Sequence, residues 1–363
     1  MADPLSAIPS GGAPVAGEAP FRPRGWLRNT HLQSILPSLP PRRLVTRHLA
    51  RSLRGAAQSW VLDCSAGVRL QAWYTACRPA LASGRTAVLL HGWEGSADSC
   101  YVLSLGAVLR SQGYHVIRLN LRDHGLTQAL NRGLFHSCRL ADVTGALRAI
   151  AHRCPGAPLY LAGFSLGGNF LLRAAAAPDL PASIAGVVAV SPVLDPARTL
   201  AALEQGPAIY HHYFVRRWSR SLRRKQRLWP DDYEFAPLLR TRSLRRMTDE
   251  LVRAHTEFPD LAAYLDGYAL VGTRLQSLSV AARILAAQDD PMIPAADLVR
   301  LANTPLLRVT LTAHGGHCGF LNSLMGRAYC DQYTLNAFEQ FAEPRLGRAA
   351  QGASPASAAA SVS

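Results

Sequence analysis

Pro158-Leu159-Tyr160-Leu161-Ala162-Gly163-Phe164-Ser165-Leu166-Gly167-Gly168-Asn169 is the stretch on which the reading of this chain turns. A short apolar run ends in Gly-x-Ser-x-Gly, and Asn169-Phe170-Leu171-Leu172-Arg173-Ala174-Ala175 reads as the helix that follows. Strand, tight turn and helix in that order describe a nucleophile elbow, which lifts a serine hydroxyl above a sheet. Such a turn needs glycines because the serine is strained and neighbouring backbone passes close to it. The helix behind the serine aims its first N–H groups at developing negative charge. A glycine-rich loop that happens to hold a serine is the plainer reading of the five residues alone. The flanking strand and helix favour the elbow.

Working outward, apolar runs and helical stretches alternate. Segments 59–63 and 69–74 alternate in polarity and suit an antiparallel hairpin. Segments 86–92 and 115–120 are continuous apolar strands of the buried parallel kind. A helix over 140–151 leads into the elbow strand, and further strands are expected at 185–190, 282–287 and 306–311. The pattern predicts an α/β fold with a mostly parallel eight-stranded sheet and helices on both faces. With 363 residues, the chain has room for one large domain carrying an insertion, or for two modest ones. Segment 197–278 breaks the rhythm: it is long, helical in composition and rich in arginine, and reads as a helical cap over the active face. The expected organisation is a disordered N-terminus at 1–20, core at 21–196, cap at 197–278, core again at 279–343, and a disordered tail at 344–363. The cap carries Tyr210, Tyr213, Phe214, Trp218, Trp229, Tyr233, Phe235 and Tyr264. These aromatics could line an acyl pocket, and packing of helices on the core accounts for them equally well.

The formal charge of +15 is almost all arginine, since Lys225 is the only lysine. With abundant alanine, this reads as a coding bias rather than a nucleic-acid surface, and no binding module accompanies it. Basic residues concentrate at 216–227 on an expected helix that leaves Trp218 and Leu222 on one stripe. A solvated helix face is the favoured reading; peripheral contact with an anionic membrane is the second. No apolar run approaches the ~20 residues that span a bilayer. An acid near the start, where a secretory signal would be positive, points to a cytoplasmic protein. Seven scattered cysteines without a C-x-x-C pair read as thiols in a reducing compartment.

A serine nucleophile on such a sheet calls for an acid after a later strand and a histidine near the end. Ala287-Gln288-Asp289-Asp290-Pro291-Met292-Ile293-Pro294 follows one expected strand, and Thr312-Ala313-His314-Gly315-Gly316-His317-Cys318 follows the next. Triad logic assigns Ser165 as nucleophile, His317 as base and then acid, and an aspartate to fix the imidazole tautomer. Asp290 is favoured because its step to Pro294 resembles an acid loop, with Asp289 capping the turn. Asp195 stands where other enzymes place the acid, and Asp-Pro there also reads as a simple turn. His314 is the rival base. Its spacing from His317 hints at a metal pair, but no further ligand completes one, and neither metal nor cofactor is expected. His91-Gly92-Trp93-Glu94-Gly95-Ser96 reads as an oxyanion loop, in which the backbone N–H groups of Trp93 and Leu166 hold the charge and His91 is structural. His124 is taken as a loop-shaping residue.

These motifs together resemble the YheT family of α/β-hydrolases, itself similar to eukaryotic α/β-hydrolase-domain lipases. The resemblance runs from Phe21 to about Phe341. It begins at Leu27-Arg28-Asn29-Thr30-His31-Leu32-Gln33-Ser34-Ile35-Leu36-Pro37 and takes in His91-Gly92-Trp93-Glu94-Gly95-Ser96 and Asn131-Arg132-Gly133-Leu134-Phe135-His136-Ser137. It continues through the elbow, Asp289-Asp290-Pro291 and His314-Gly315-Gly316-His317-Cys318-Gly319-Phe320. Arg122-Asp123-His124-Gly125, the cap end Tyr264-Leu265-Asp266-Gly267-Tyr268, and the absence of proline before Ala282 depart from the family pattern. The resemblance implies an α/β-hydrolase fold with Ser165, Asp290 and His317 as its triad. It also implies hydrolysis of carboxylic esters, with a small acyl ester as the partner. Transfer of the acyl group to an alcohol, or a non-catalytic lipid-binding role for the fold, are the alternatives.

Overall fold

A computed structural model of the chain describes residues 20–64 and 66–351. Its strands are β1 (Gln58–Asp63), β2 (Arg69–Thr75), β3 (Thr86–Leu90), β4 (His115–Leu119), β5 (Leu159–Phe164), β6 (Ile184–Val190), β7 (Ala282–Ala287) and β8 (Leu307–Thr312). They form one sheet in the order β1-β2-β4-β3-β5-β6-β7-β8. The hairpin β1–β2 is antiparallel, with Gln58 opposite Tyr74, and β2 also runs antiparallel to β4. Every other pairing is parallel.

The continuous apolar runs sit where both faces of the sheet are covered. Alternation along each strand divides the core in two. Val88, Leu90 and Leu161 face one cluster with Phe170 and Leu171. Ala87, Leu89, Tyr160 and Ala162 face the other, with Leu105, Leu109 and Phe338. Chain order reverses at β3, which lies between β4 and β5. The loops after β3 and β5 therefore part on either side of a crevice at the carboxyl end of the sheet, where open α/β sheets build their sites.

Between β6 and β7 run the helices Pro196–Gln205, Ala208–Leu228, Ala236–Arg240, Leu244–His255 and Leu261–Asp266. Their buried residues, among them Leu203, Leu222 and Met247, belong to the same apolar cluster as the first face of the sheet, and the helices pack chiefly on one another. In Ala208–Leu228, Trp218 and Leu222 are buried while Arg216, Arg220, Arg223 and Arg227 are exposed. Lys225 corrects the reading that counts it with this solvated basic face. It is buried, 2.9 Å from Asp123 Oδ1. The reason is register: positions 218, 222 and 225 follow one stripe of the helix, so Lys225 points inward with the apolar pair.

The helix Tyr329–Gln351 carries regular backbone through 344–351, which sequence reading assigns to a disordered tail. Alanine, arginine and glutamine are good helix formers and extend a helix already begun on the core. The rest of the expected tail, 352–363, and residues 1–19 of the expected disordered N-terminus lie outside the described residues. Among the described residues no helix is long and apolar enough to cross a membrane.

Candidate active site

Ser165 lies between β5 and the helix Leu166–Ala175 with φ 52° and ψ −120°, left-handed backbone that costs a non-glycine residue about 1–3 kcal/mol. Its N–H donates to Val190 O at 2.9 Å, which ties the strained turn to β6. A Cβ on Gly163 would stand 2.5 Å from Gly167 O, and one on Gly167 would stand 2.4 Å from His91 O. Gly163 thus leaves room for the turn's own helix, and Gly167 for the backbone at the end of β3.

The histidine and acid loops meet this serine. His317 Nε2 is 3.0 Å from Ser165 Oγ, and His317 Nδ1 is 2.9 Å from Asp290 Oδ2. The other oxygen of Asp290 accepts the N–H groups of Met292 and Ile293 at 2.9 and 3.0 Å, so the carboxylate cannot rotate away. Asp290 and His317 side chains are only 3% and 12% exposed. Burial works against a charged imidazole, yet the Asp290 carboxylate and the neighbouring Cys318 together outweigh it and hold the His317 pKa well above its ordinary value. This is the arrangement that stabilises an imidazolium formed by taking a proton from Ser165.

The rival candidates have other work. Asp289 accepts Gly316 N–H at 2.9 Å and the Thr30 hydroxyl at 2.8 Å. His314 Nδ1 stands 3.7 Å from Asp289 rather than at the serine. Asp195 caps the helix Pro196–Gln205 and pairs with Arg300 at 2.6 Å. Among the described residues, no three His, Cys, Asp or Glu side chains are grouped to hold a metal ion.

The loop after β3 is shaped by two buried histidines. His91 Nδ1 donates to Gly92 O at 2.7 Å, and its Nε2 accepts Leu121 N–H at 3.2 Å. His124 Nδ1 donates to Arg122 O at 2.7 Å, and its Nε2 accepts Glu94 N–H at 3.1 Å. Burial lowers the two pKa values to about 3 and about 4, so both rings stay neutral and keep these tautomers. Glu94 has φ 55°, and its carbonyl accepts from Arg217 of the cap. Among the described residues, neither Trp93 N–H nor Leu166 N–H donates to a protein acceptor, and both residues line the cavity that holds Ser165.

One supporting element escaped sequence reasoning. His317 N–H donates to Ser34 Oγ at 2.9 Å, and Ser34 Oγ donates to Thr30 O at 2.8 Å. Gln33 brackets Leu321, accepting its N–H at 2.8 Å and donating to its carbonyl at 2.9 Å. The loop they grip contains Gly316, Cys318 and Phe320 at φ 53°, 59° and 48°. The motif at 27–37 was visible in the sequence, but nothing local connects it to a histidine far along the chain.

A cavity opens from Ser165 and His317 beneath the cap. Trp93, Leu200, Phe214, Trp218, Leu251 and Ile293 are among its walls. Of the cap aromatics, Phe214, Trp218, Tyr264 and Tyr268 line it. Tyr210 bonds to His31 Nδ1 at 2.9 Å, and Trp229 Nε1 donates to Gln128 O at 3.0 Å.

Comparison with known proteins bears on the family and the fold. Residues 87–324 match the model of the alpha/beta hydrolase fold family. The YheT protein of Escherichia coli (strain K12) is 27% identical over 321 residues, covering 85% of this chain and 89% of its own. Human protein ABHD15 is 27% identical over 338 residues, covering 88% of this chain and 69% of its own. Mouse phospholipase ABHD3 is 22% identical over 262 residues, 71% of this chain and 63% of its own. Among solved structures, the Pyrococcus furiosus esterase Pf2001 superposes with a TM-score of 0.51 at 14% identity, over 90% of this chain and 98% of that one. The resemblance to the YheT family therefore holds, and the chain belongs to the alpha/beta hydrolase fold family.

Proposed function

We propose that this protein is a serine-dependent carboxylic ester hydrolase working through an acyl-enzyme. The observation that carries the proposal is the continuous relay from Asp290 through His317 to Ser165, opening into an apolar cavity. Ser165 Oγ attacks the ester carbonyl while His317 Nε2 takes its proton. The new oxyanion is held by Trp93 and Leu166 N–H, each such donor contributing roughly 3–4 kcal/mol to the transition state. Collapse expels the alcohol, protonated by His317, and a water activated by the same imidazole then releases the acid. The cavity walls suit the hydrocarbon of a short-chain or monoacylglycerol-like ester. That relatives include a phospholipase supports an acyl ester over other electrophiles. The exposed arginines of Ala208–Leu228 supply a face for peripheral contact with anionic membrane that would carry such substrates.

A fluorophosphonate probe tests the reading. Labelling of the native protein that disappears in Ser165→Ala, together with turnover of nitrophenyl esters, is the expected result. A folded protein that neither labels nor turns over any ester of graded chain length overturns it.

A further inference from the structure

The motif ending in Phe135-His136-Ser137 has no part in the relay, yet it lines the same cavity. His136 is 3% exposed, and both its ring nitrogens are buried without a hydrogen-bond partner among the described residues. Arg173 Nε and Asn169 Oδ1 are also unpartnered. Buried polar atoms nearly always find partners, so this cluster calls for an explanation.

The three residues are neighbours. Arg173 Nη2 donates to Ser137 O at 2.7 Å, and Asn169 Nδ2 donates to Tyr268 O at 2.7 Å. Ser137 N–H donates to Tyr264 Oη at 3.0 Å, and the His136 and Tyr264 rings lie 6.2 Å apart. His136, Ser137, Tyr264 and Tyr268 all face the cavity that holds Ser165. Helix Leu166–Ala175 carries both Asn169 and Arg173, one turn apart, so the elbow helix itself brings them here.

The surrounding charge is positive. Arg122 is matched by Asp142 at 2.7 Å. Neither Arg173 nor Arg139 reaches a carboxylate among the described residues; Arg139 Nε donates instead to Leu134 O at 2.7 Å. Burial lowers the Arg173 pKa to about 10, which still leaves it charged at neutral pH. The nearest acid to His136 is Glu257, with its oxygen 3.7 Å away and its side chain 71% exposed. Burial, then Arg139, lowers the His136 pKa to about 4, so the ring enters as a neutral group in a cationic field.

We propose that His136, with Ser137 beside it and Arg173 behind, forms a polar subsite in the cavity wall that takes an anionic oxygen group, carboxylate or phosphate, on the substrate of Ser165. The imidazole N–H, without an acceptor on the cavity wall, is the donor such a group satisfies, and Arg173, half-buried behind Ser137 and without a carboxylate partner among the described residues, adds a favourable positive field. An uncharged hydrocarbon chain makes use of neither. The substrate class is thus an amphiphilic ester with a second, anionic end, and the inference rests on the esterase reading only for the position of the ester bond.

The test compares the 4-nitrophenyl monoester of suberic acid with 4-nitrophenyl octanoate, and in a second arm the ω-phosphorylated octanoate ester. The expected result is a kcat/KM ratio, charged over uncharged, of at least tenfold in the native protein, falling toward one in His136→Phe and in Arg173→Gln. The arm showing the preference identifies carboxylate or phosphate as the source. Because phenylalanine removes two unpartnered nitrogens, His136→Phe should unfold no earlier than the native protein, and Arg173→Gln gives a second reading if it does. A native ratio at or below one, or a ratio that neither variant changes, overturns the proposal. If no ester is turned over and no fluorophosphonate labels, the esterase reading fails alone. Calorimetry on Ser165→Ala with monoethyl suberate against ethyl octanoate then reads the subsite without chemistry: tighter binding of the anion sustains it, and equal or weaker binding overturns it.

Discussion

Replacing Lys225 with methionine would cut a buried charged anchor of the cap to the core while keeping the length and apolar stem of the side chain. Lys225 Nζ lies 2.9 Å from Asp123 Oδ1 and 2.6 and 3.2 Å from the carbonyl oxygens of Asn131 and Gly133. The two charged side chains are 1% and 5% exposed. At that separation and an effective dielectric of about 20, their attraction is roughly 6 kcal/mol, and most of this is cancelled by the cost of dehydrating both ions. Breaking the pair is a different quantity. Among the described residues, Asp123 would keep only the Phe135 N–H, at 2.8 Å, as a hydrogen-bond partner for a buried carboxylate. The expected loss is about 3–5 kcal/mol.

Urea unfolding at pH 7, followed by tryptophan fluorescence, measures this loss directly. The double variant Asp123→Asn with Lys225→Met removes both charges and should recover most of it. Burial already raises the Asp123 pKa above 3.8 in the native protein, and removing its cation raises it further. A carboxyl whose folded pKa exceeds its unfolded pKa binds the proton more readily when folded. The deficit of Lys225→Met should therefore be full above that folded pKa and shrink as pH falls through it toward 3.8. A loss below about 1 kcal/mol at pH 7, or a double variant as damaged as the single one, would refute the reasoning.

Three further outcomes follow from the site. In the proposed relay His317 takes the serine proton only when neutral, and its pKa is raised, so kcat/KM should climb with pH through a midpoint above 6.5, the ordinary histidine value. Asp290→Asn should bring that midpoint down and lower kcat by on the order of 10⁴-fold, and a native midpoint at or below 6.5 contradicts the assignment. Ser34→Ala leaves the His317 N–H without its acceptor; stopped-flow kinetics should show kcat down on the order of tenfold with KM little changed, and an unchanged kcat removes Ser34 from the loop's support. Gly167→Ala should fail to fold or lose at least about 3 kcal/mol, whereas Gly168→Ala, whose Cβ would meet its nearest neighbours at 3.1 Å, should lose distinctly less by thermal unfolding.

The eight strands were legible because each carries its own signal. Alternating polarity marks β1 and β2, and short apolar runs bounded by turns mark the buried strands. Chain order then narrowed the acid to Asp289, Asp290 or Asp195 and the base to His314 or His317. Between the adjacent aspartates the step to Pro294 favoured Asp290, but a one-residue step changes which carboxylate faces the histidine, and only packing fixes that. The structure divides the labour: Asp290 faces the imidazole, and Asp289 ties Gly316 to Thr30.

What the sequence by itself determined is whatever depends on near neighbours: the strand–turn–helix around Ser165, the strands on either side of it, and the apolar stripe of the cap helix. Tertiary structure decided whatever depends on distant partners. Ser34 and His317 are 283 positions apart, and Lys225 and Asp123 are 102 apart. Helical periodicity says which face Lys225 shares, but only the packed loop after β4 supplies the carboxylate that makes burying its charge tolerable. The same holds for His136, whose unpartnered nitrogens become visible only when the elbow helix, the loop before it in sequence and the cap end close around one cavity. Periodicity and turn chemistry are local properties of the chain, whereas pairing of buried polar groups is a property of the fold.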